Sequence, residues 1–92
     1  MNGETKLKKK NYFNQIRKLL VSITGNKEFL NISTSENILY AGFNSMAAVR
    51  LFMGLEQKYG FQIDANDFSP KKLNTIDNIN KMILQYLDDN NE

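Results

Sequence analysis

Ser45 is the residue whose type and setting most suggest chemistry. It stands in "YAGFNSMAAVRLF", Tyr40 to Phe52, between a turn-forming Gly-Phe-Asn and a run of small and apolar residues. A hydroxyl at the mouth of a helix lies where first-turn N–H groups lack intrahelical acceptors. The positive end of the helix dipole falls there too, so a phosphate ester would be well placed. The same position suits a serine that only caps the helix. Nothing nearby completes a catalytic set. The chain has no histidine and no cysteine, which removes the usual general base, the commonest metal ligand and any thiolate of its own. The carboxylates are scattered, with Asp88 and Asp89 together only in the polar C-terminal stretch. Neither a paired-carboxylate site nor a calcium loop with acids at alternate positions can be built from them. The expectation is a protein that is not an enzyme and has no metal site.

A chain of 92 residues supports one domain, and its folded form buries only about 60 to 65% of the surface exposed by the unfolded chain. A deep enclosed site is therefore not expected. The net charge of +2 is unevenly spread. Lys6, Lys8, Lys9 and Lys10 against Glu4 give the first ten residues +3, leaving eight basic and nine acidic residues for the rest. A basic stretch such as "KLKKK" can bind phosphates, but no interleaved aromatic residues extend it, and a solvated tail accounts for it. No nucleic-acid partner is expected. No apolar run approaches the roughly 20 residues of a membrane span, and no apolar stretch follows a charged start as in a secretory signal. A cytoplasmic protein is expected.

The elements that must position Ser45 follow from apolar spacing. From Asn11 to Thr24, Tyr12, Phe13, Ile16, Leu19, Leu20 and Ile23 recur at three- and four-residue steps, and Gly25 follows where a left-handed cap is needed. Residues 26 to 44 show no sustained period and read as a long loop that packs isolated apolar side chains, among them Phe29, Ile32 and Ile38, on the core. A second helix is expected over Ser45–Tyr59, capped by Asn44 and ended by Gly60, with Phe61 placed for the hydrophobic contact of a Schellman motif. "DANDF", Asp64 to Phe68, can make one short turn, and Pro70 separates it from a last helix over about Thr75 to Leu87, capped by Thr75. No segment reads as a strand. The fold class is all-α: a small four-helix bundle of three main helices and one short one, with a long loop between the first two. A disordered basic tail (1–10), a domain (11–87) and a polar C-terminal tail (88–92) are expected.

The second helix has two apolar faces. At 100° per residue, Ala48, Leu51, Phe52, Leu55 and Tyr59 fall in one arc, the natural core face. Met46, Val49 and Met53, flanked by Arg50 and Gln57, point roughly the opposite way. One reading covers this second face with the loop. The other leaves it exposed as a docking surface, where methionine adapts to several partners and Arg50 and Gln57 form a polar rim.

Taken together, "GFNSMAAVRLFMGLEQKYGFQIDANDF" resembles the phosphopantetheine attachment region of acyl and peptidyl carrier proteins. That region has a Gly-x-Asp-Ser-Leu-like motif, a helix ending in an aromatic residue, and an apolar-x-apolar segment. Gly42, Ser45, Met46, Leu55, Tyr59, Phe61, Ile63 and Phe68 match the expected types, and "LNTIDNINKMILQYL" is similar to the family's closing segment. The resemblance covers about residues 11 to 87. It implies that Ser45, flanked by Gly42 and Asn44, carries a 4′-phosphopantetheine arm from coenzyme A whose thiol holds a thioester. The implied partners are a phosphopantetheinyl transferase, an adenylation or acyl-activating enzyme, and condensing, modifying or releasing enzymes that act later. The carrier would be a monomer.

Fatty-acid carriers usually place Asp before the serine and have an acidic second helix. Here Asn44 precedes it, Arg50 follows, and Glu56 and Lys58 cancel. "SMAAVRLF" is more similar to the Ser-Leu-x-Ala-apolar-Arg-Leu of peptidyl carriers in nonribosomal synthesis, and "FQIDANDF" to free-standing D-alanyl carriers. An aminoacyl or peptidyl carrier of secondary metabolism is thus favoured over a fatty-acid or polyketide carrier. A non-catalytic interaction module on the same fold is the further alternative. Met1 and the polar ends favour a free-standing protein.

Overall fold

The computed structural model describes residues 11–39 and 43–90. Three α-helices, α1 (Phe13–Thr24), α2 (Ser45–Tyr59) and α3 (Ile76–Asn90), are joined by 3₁₀ turns at Lys27–Leu30, Ala65–Asp67 and Pro70–Leu73. There is no strand among the described residues. The all-helical class is as expected, and α2 has the bounds read from the sequence. The tail expected over 1–10 lies outside the described residues. α1 starts at Phe13 rather than Asn11, and α3 runs on to Asn90, three residues past Leu87. Pro70 does more than separate two segments. It opens the third turn, which buries Leu73 completely.

Two helix ends follow the chemistry of glycine. Gly25 and Gly60 have φ of 75° and 77°, left-handed values that a Cβ disfavours. Gly60 N–H donates to Glu56 O at 2.9 Å. This is the single-bond αL closure, and the second bond of a Schellman motif is not formed. Phe61 still turns inward, stacking between Tyr59 and Tyr86 at centroid distances of 6.0 and 5.1 Å. Glu56 accepts the Ile63 N–H at 2.9 Å, so the extended Phe61-Gln62-Ile63 segment is held against α2 with Phe61 and Ile63 buried and Gln62 exposed.

α1 packs against both other helices and the Lys27–Leu30 turn. It buries Ile16 and Leu20, while α3 contributes Ile76, Ile79, Met82 and Ile83. The α1–α2 crossing is close: a Cβ on Gly54 would lie 3.3 Å from Leu19. The long loop packs its apolar side chains inward as expected, since Phe29 and Ile38 are fully buried, although Leu30 and Leu39 stay exposed. Backbone bonds fix it to the start of α3, from Ile38 N–H to Asn74 O at 2.8 Å and from Asp77 N–H to Thr34 O at 2.9 Å. These bonds satisfy loop amides that would otherwise be costly to bury. Phe43, the last apolar loop side chain before α2, is also buried.

Candidate functional site

Asn44 sets the geometry at the start of α2. Its backbone is extended (φ −100°, ψ −171°), its Oδ1 accepts the Ala47 N–H at 2.9 Å, and its carbonyl accepts the Ala48 N–H at 2.9 Å. Asn44 therefore does the capping and Ser45 does not. Ser45 is the first helical residue and is exposed, and no hydrogen bond engages its Oγ among the described residues. An exposed hydroxyl without a structural task, at the electropositive end of a 15-residue helix, suits a phosphodiester. Gly42 lies outside the described residues.

Beside Ser45 runs an apolar groove of about 400 Å³, lined by Ser45, Ala48, Val49, Phe52, Met53 and Phe68. Phe68 forms its outer wall and packs edge-on against Phe52, with ring centroids 4.4 Å apart. Along the same side of α2, Met46, Val49 and Met53 are 63%, 54% and 54% exposed, and Arg50 and Gln57 are exposed as well. The described part of the loop does not cover this face. The core face of α2 is Ala47, Ala48, Leu51, Phe52 and Leu55, with Tyr59 only half-buried. Ala47 lies next to the expected arc, and its small side chain gave the periodicity little weight.

The wall of the groove is held by a polar network that the sequence did not suggest. Tyr86 Oη donates to Asp67 Oδ2, Lys72 Nζ donates to Asp67 Oδ1 at 2.6 Å, and the Asp64 N–H donates to Tyr86 Oη at 2.9 Å. These bonds tie the Ala65–Asp67 turn, and with it Phe68, to α3 and the Pro70–Leu73 turn. The Lys72 bond, and then that of Tyr86, hold the Asp67 carboxyl below the usual carboxylate range. Burial, and then the bond to Asp67, push the Tyr86 phenol up. The one available signal was a pair of opposite charges, Asp67 and Lys72, five residues apart across a proline. On the far side of α2, burial and then Tyr12 raise the Tyr59 phenol, whose Oη is enclosed without a partner among the described residues.

Among the described residues, no three acidic, histidine or cysteine side chains come together to hold a metal, and no helix is long and apolar enough to cross a membrane. The family model described as the phosphopantetheine attachment site matches residues 14–83. That span takes in α1, the long loop, α2, all three turns and the first half of α3. No curated protein and no solved structure matches the chain.

Proposed function

The chain belongs to the phosphopantetheine attachment family, and from that premise we propose that Ser45 is its attachment residue and that the loaded protein serves aminoacyl or peptidyl transfer. Family membership brings the 4′-phosphopantetheine cofactor and the role of an acyl-group carrier. When bound, the cofactor supplies the thiol that the chain lacks and holds the carried group as a thioester.

The observation that supports Ser45 is its position as the exposed first residue of α2, with capping left to Asn44. The residues fit the group. Ser45 Oγ is open to a transferase, the first turn of α2 offers its dipole to the phosphodiester, and the apolar groove adjoins the attachment point. Asn44 fixes the helix start and so the direction in which the arm leaves. Met46, Val49 and Met53, rimmed by Arg50 and Gln57, provide an exposed apolar face on which a transferase, a loading enzyme and later enzymes can dock in turn. Catalysis then lies with those partners, and tethering raises the local concentration of the cargo at each of them.

The peptidyl assignment is supported by Asn44 in place of the fatty-acid carriers' aspartate, by Arg50, and by the absence of an acidic face on α2. The test is incubation with coenzyme A and a broad-specificity phosphopantetheinyl transferase, followed by intact-mass measurement. The wild type is expected to gain the mass of one phosphopantetheine and Ser45→Ala none. An unmodified wild type, or an equal gain in the variant, would overturn the assignment. Loading the modified protein with amino-acid and fatty-acid adenylating enzymes in parallel then separates the subtypes, since an aminoacyl carrier is loaded only by the former.

A further inference from the structure

A second concave surface lies on the other side of the turn that carries Phe68. Asp67, one residue before Phe68, lines a cleft of about 300 Å³ together with Lys71, Lys72, Asn78, Lys81, Met82 and Gln85. The cleft lies between the Pro70–Leu73 turn and α3. Its charges are unequally compensated. Lys72 is paired with Asp67 at 2.6 Å, whereas Lys71 and Lys81 are exposed and have no acidic partner among the described residues. Gln85, also exposed, has no hydrogen-bond partner among them. The hollow is thus lined by two exposed lysines without an acidic partner among the described residues, an exposed glutamine and a buried methionine. This set offers donors to anionic oxygens and an apolar contact beside them.

We propose that this cleft binds an acidic segment of a partner protein, with Asp or Glu carboxylates meeting Lys71 and Lys81, and that it anchors enzymes acting at Ser45. The last clause rests on the carrier reading, while the binding itself does not. Protein is favoured over nucleic acid because no aromatic side chain lines the cleft for base stacking. Asp67 also lines the hollow, so its lining is not uniformly basic. The apolar groove and the cleft are walled by adjacent residues of one turn, so a partner with an apolar patch beside acidic side chains would engage both.

The test is a titration of the full-length ¹⁵N-labelled protein, unmodified at Ser45, with hexaglutamate. Hexalysine, inorganic phosphate and hexauridylate form parallel arms. Hexaglutamate is expected to shift the amide signals of residues 71, 72, 78, 81 and 85 saturably, more weakly as salt rises. Binding should fall at least tenfold in Lys71→Gln/Lys81→Gln, whose spectrum should otherwise show an intact fold. Absence of saturable shifts, shifts spread over the whole molecule, or equal binding by the double variant would overturn the proposal. So would tighter binding of hexauridylate or phosphate than of hexaglutamate. Loading of Ser45 is read separately by mass, so the failure of either reading is distinguishable from failure of the other.

Discussion

Arg50 sits on the exposed side of α2, five residues after Ser45, and makes no hydrogen bond or ion pair among the described residues. Charge reversal by Arg50→Glu is therefore expected to leave the melting temperature within about 4 °C of wild type, since surface changes away from special features stay within roughly 0.5 kcal/mol. Turnover by at least one enzyme that docks on α2 should slow. Unchanged rates with every loading and transfer enzyme would remove Arg50 from the docking rim. Asp67 makes a different prediction, about pH. Its folded-state pKa is lowered, first by Lys72 and then by Tyr86. Its contribution to stability is thus complete above the ordinary aspartate value of 3.8 and disappears as the pH falls through the lower folded value. In thermal melts, the gap between wild type and Asp67→Asn should be present at neutral pH and close on acidification. Lys72 is half exposed, so the gap should not exceed about 1 kcal/mol. A gap that stays constant with pH would mean that the carboxylate's charge is not what holds the turn.

Helix ends show what was readable from sequence and what was not. α2 was legible at both ends because its signals are local: Asn44 caps it three residues ahead of Ala47, and Gly60 supplies the left-handed stop. The start of α1 has no such signal. Tyr12 makes no side-chain cap, and its N–H instead donates at 2.8 Å to Oδ1 of Asn80, 68 residues away on α3. No periodicity reveals a partner at that separation. Asn80 is also the one buried polar side chain among the described residues, so Asn80→Ala should cost about 1 to 3 kcal/mol by stranding the amide. For a domain of this size that lowers the melting temperature by about 4 to 8 °C per kcal/mol. A change below about 2 °C would show that solvent satisfies the Tyr12 N–H equally well. The end of α3 was misread for the converse reason: polar Asp88-Asp89-Asn90 looks like a tail, yet no glycine or proline stops the helix before it.

At the scale of the molecule, the core includes the loop as well as the helices. Phe29 is fully enclosed by a segment with one short turn. Phe29→Ala should cost about 3 to 5 kcal/mol, a large share of the roughly 5 to 15 kcal/mol that holds a domain together. Chemical denaturation checks it, and a loss below about 1 kcal/mol would mean that the loop is draped over the core rather than part of it. The sequence did indicate that loop residues pack inward, which holds for Phe29 and Ile38 but not for Leu30 and Leu39. The basic cleft was invisible to the same reading. Summed over residues 11 to 92 the charge is nearly neutral, and that sum hides Lys71 and Lys81, which folding brings to one hollow while Asp67 is neutralised by Lys72. The groove beside Ser45 was half legible. Its α2 side followed from the helix wheel, but its Phe68 wall depends on the bond between Tyr86 and Asp67 across 19 residues.

Asn44 and Ser45 divide the start of α2 between them, one residue holding the helix and the next left free. The cap of α2 therefore does not depend on the side chain at position 45. If Ser45 is the attachment residue, as proposed, a copy that lost this serine after a gene duplication would keep its shape and its exposed methionine face while losing the site of loading. Such a copy would compete with the parent for the same enzymes without delivering anything to them. The proposal thus predicts a pattern in related chains: serine kept at position 45 where loading is under selection, and drift at 45 with Asn44 retained where only the scaffold survives.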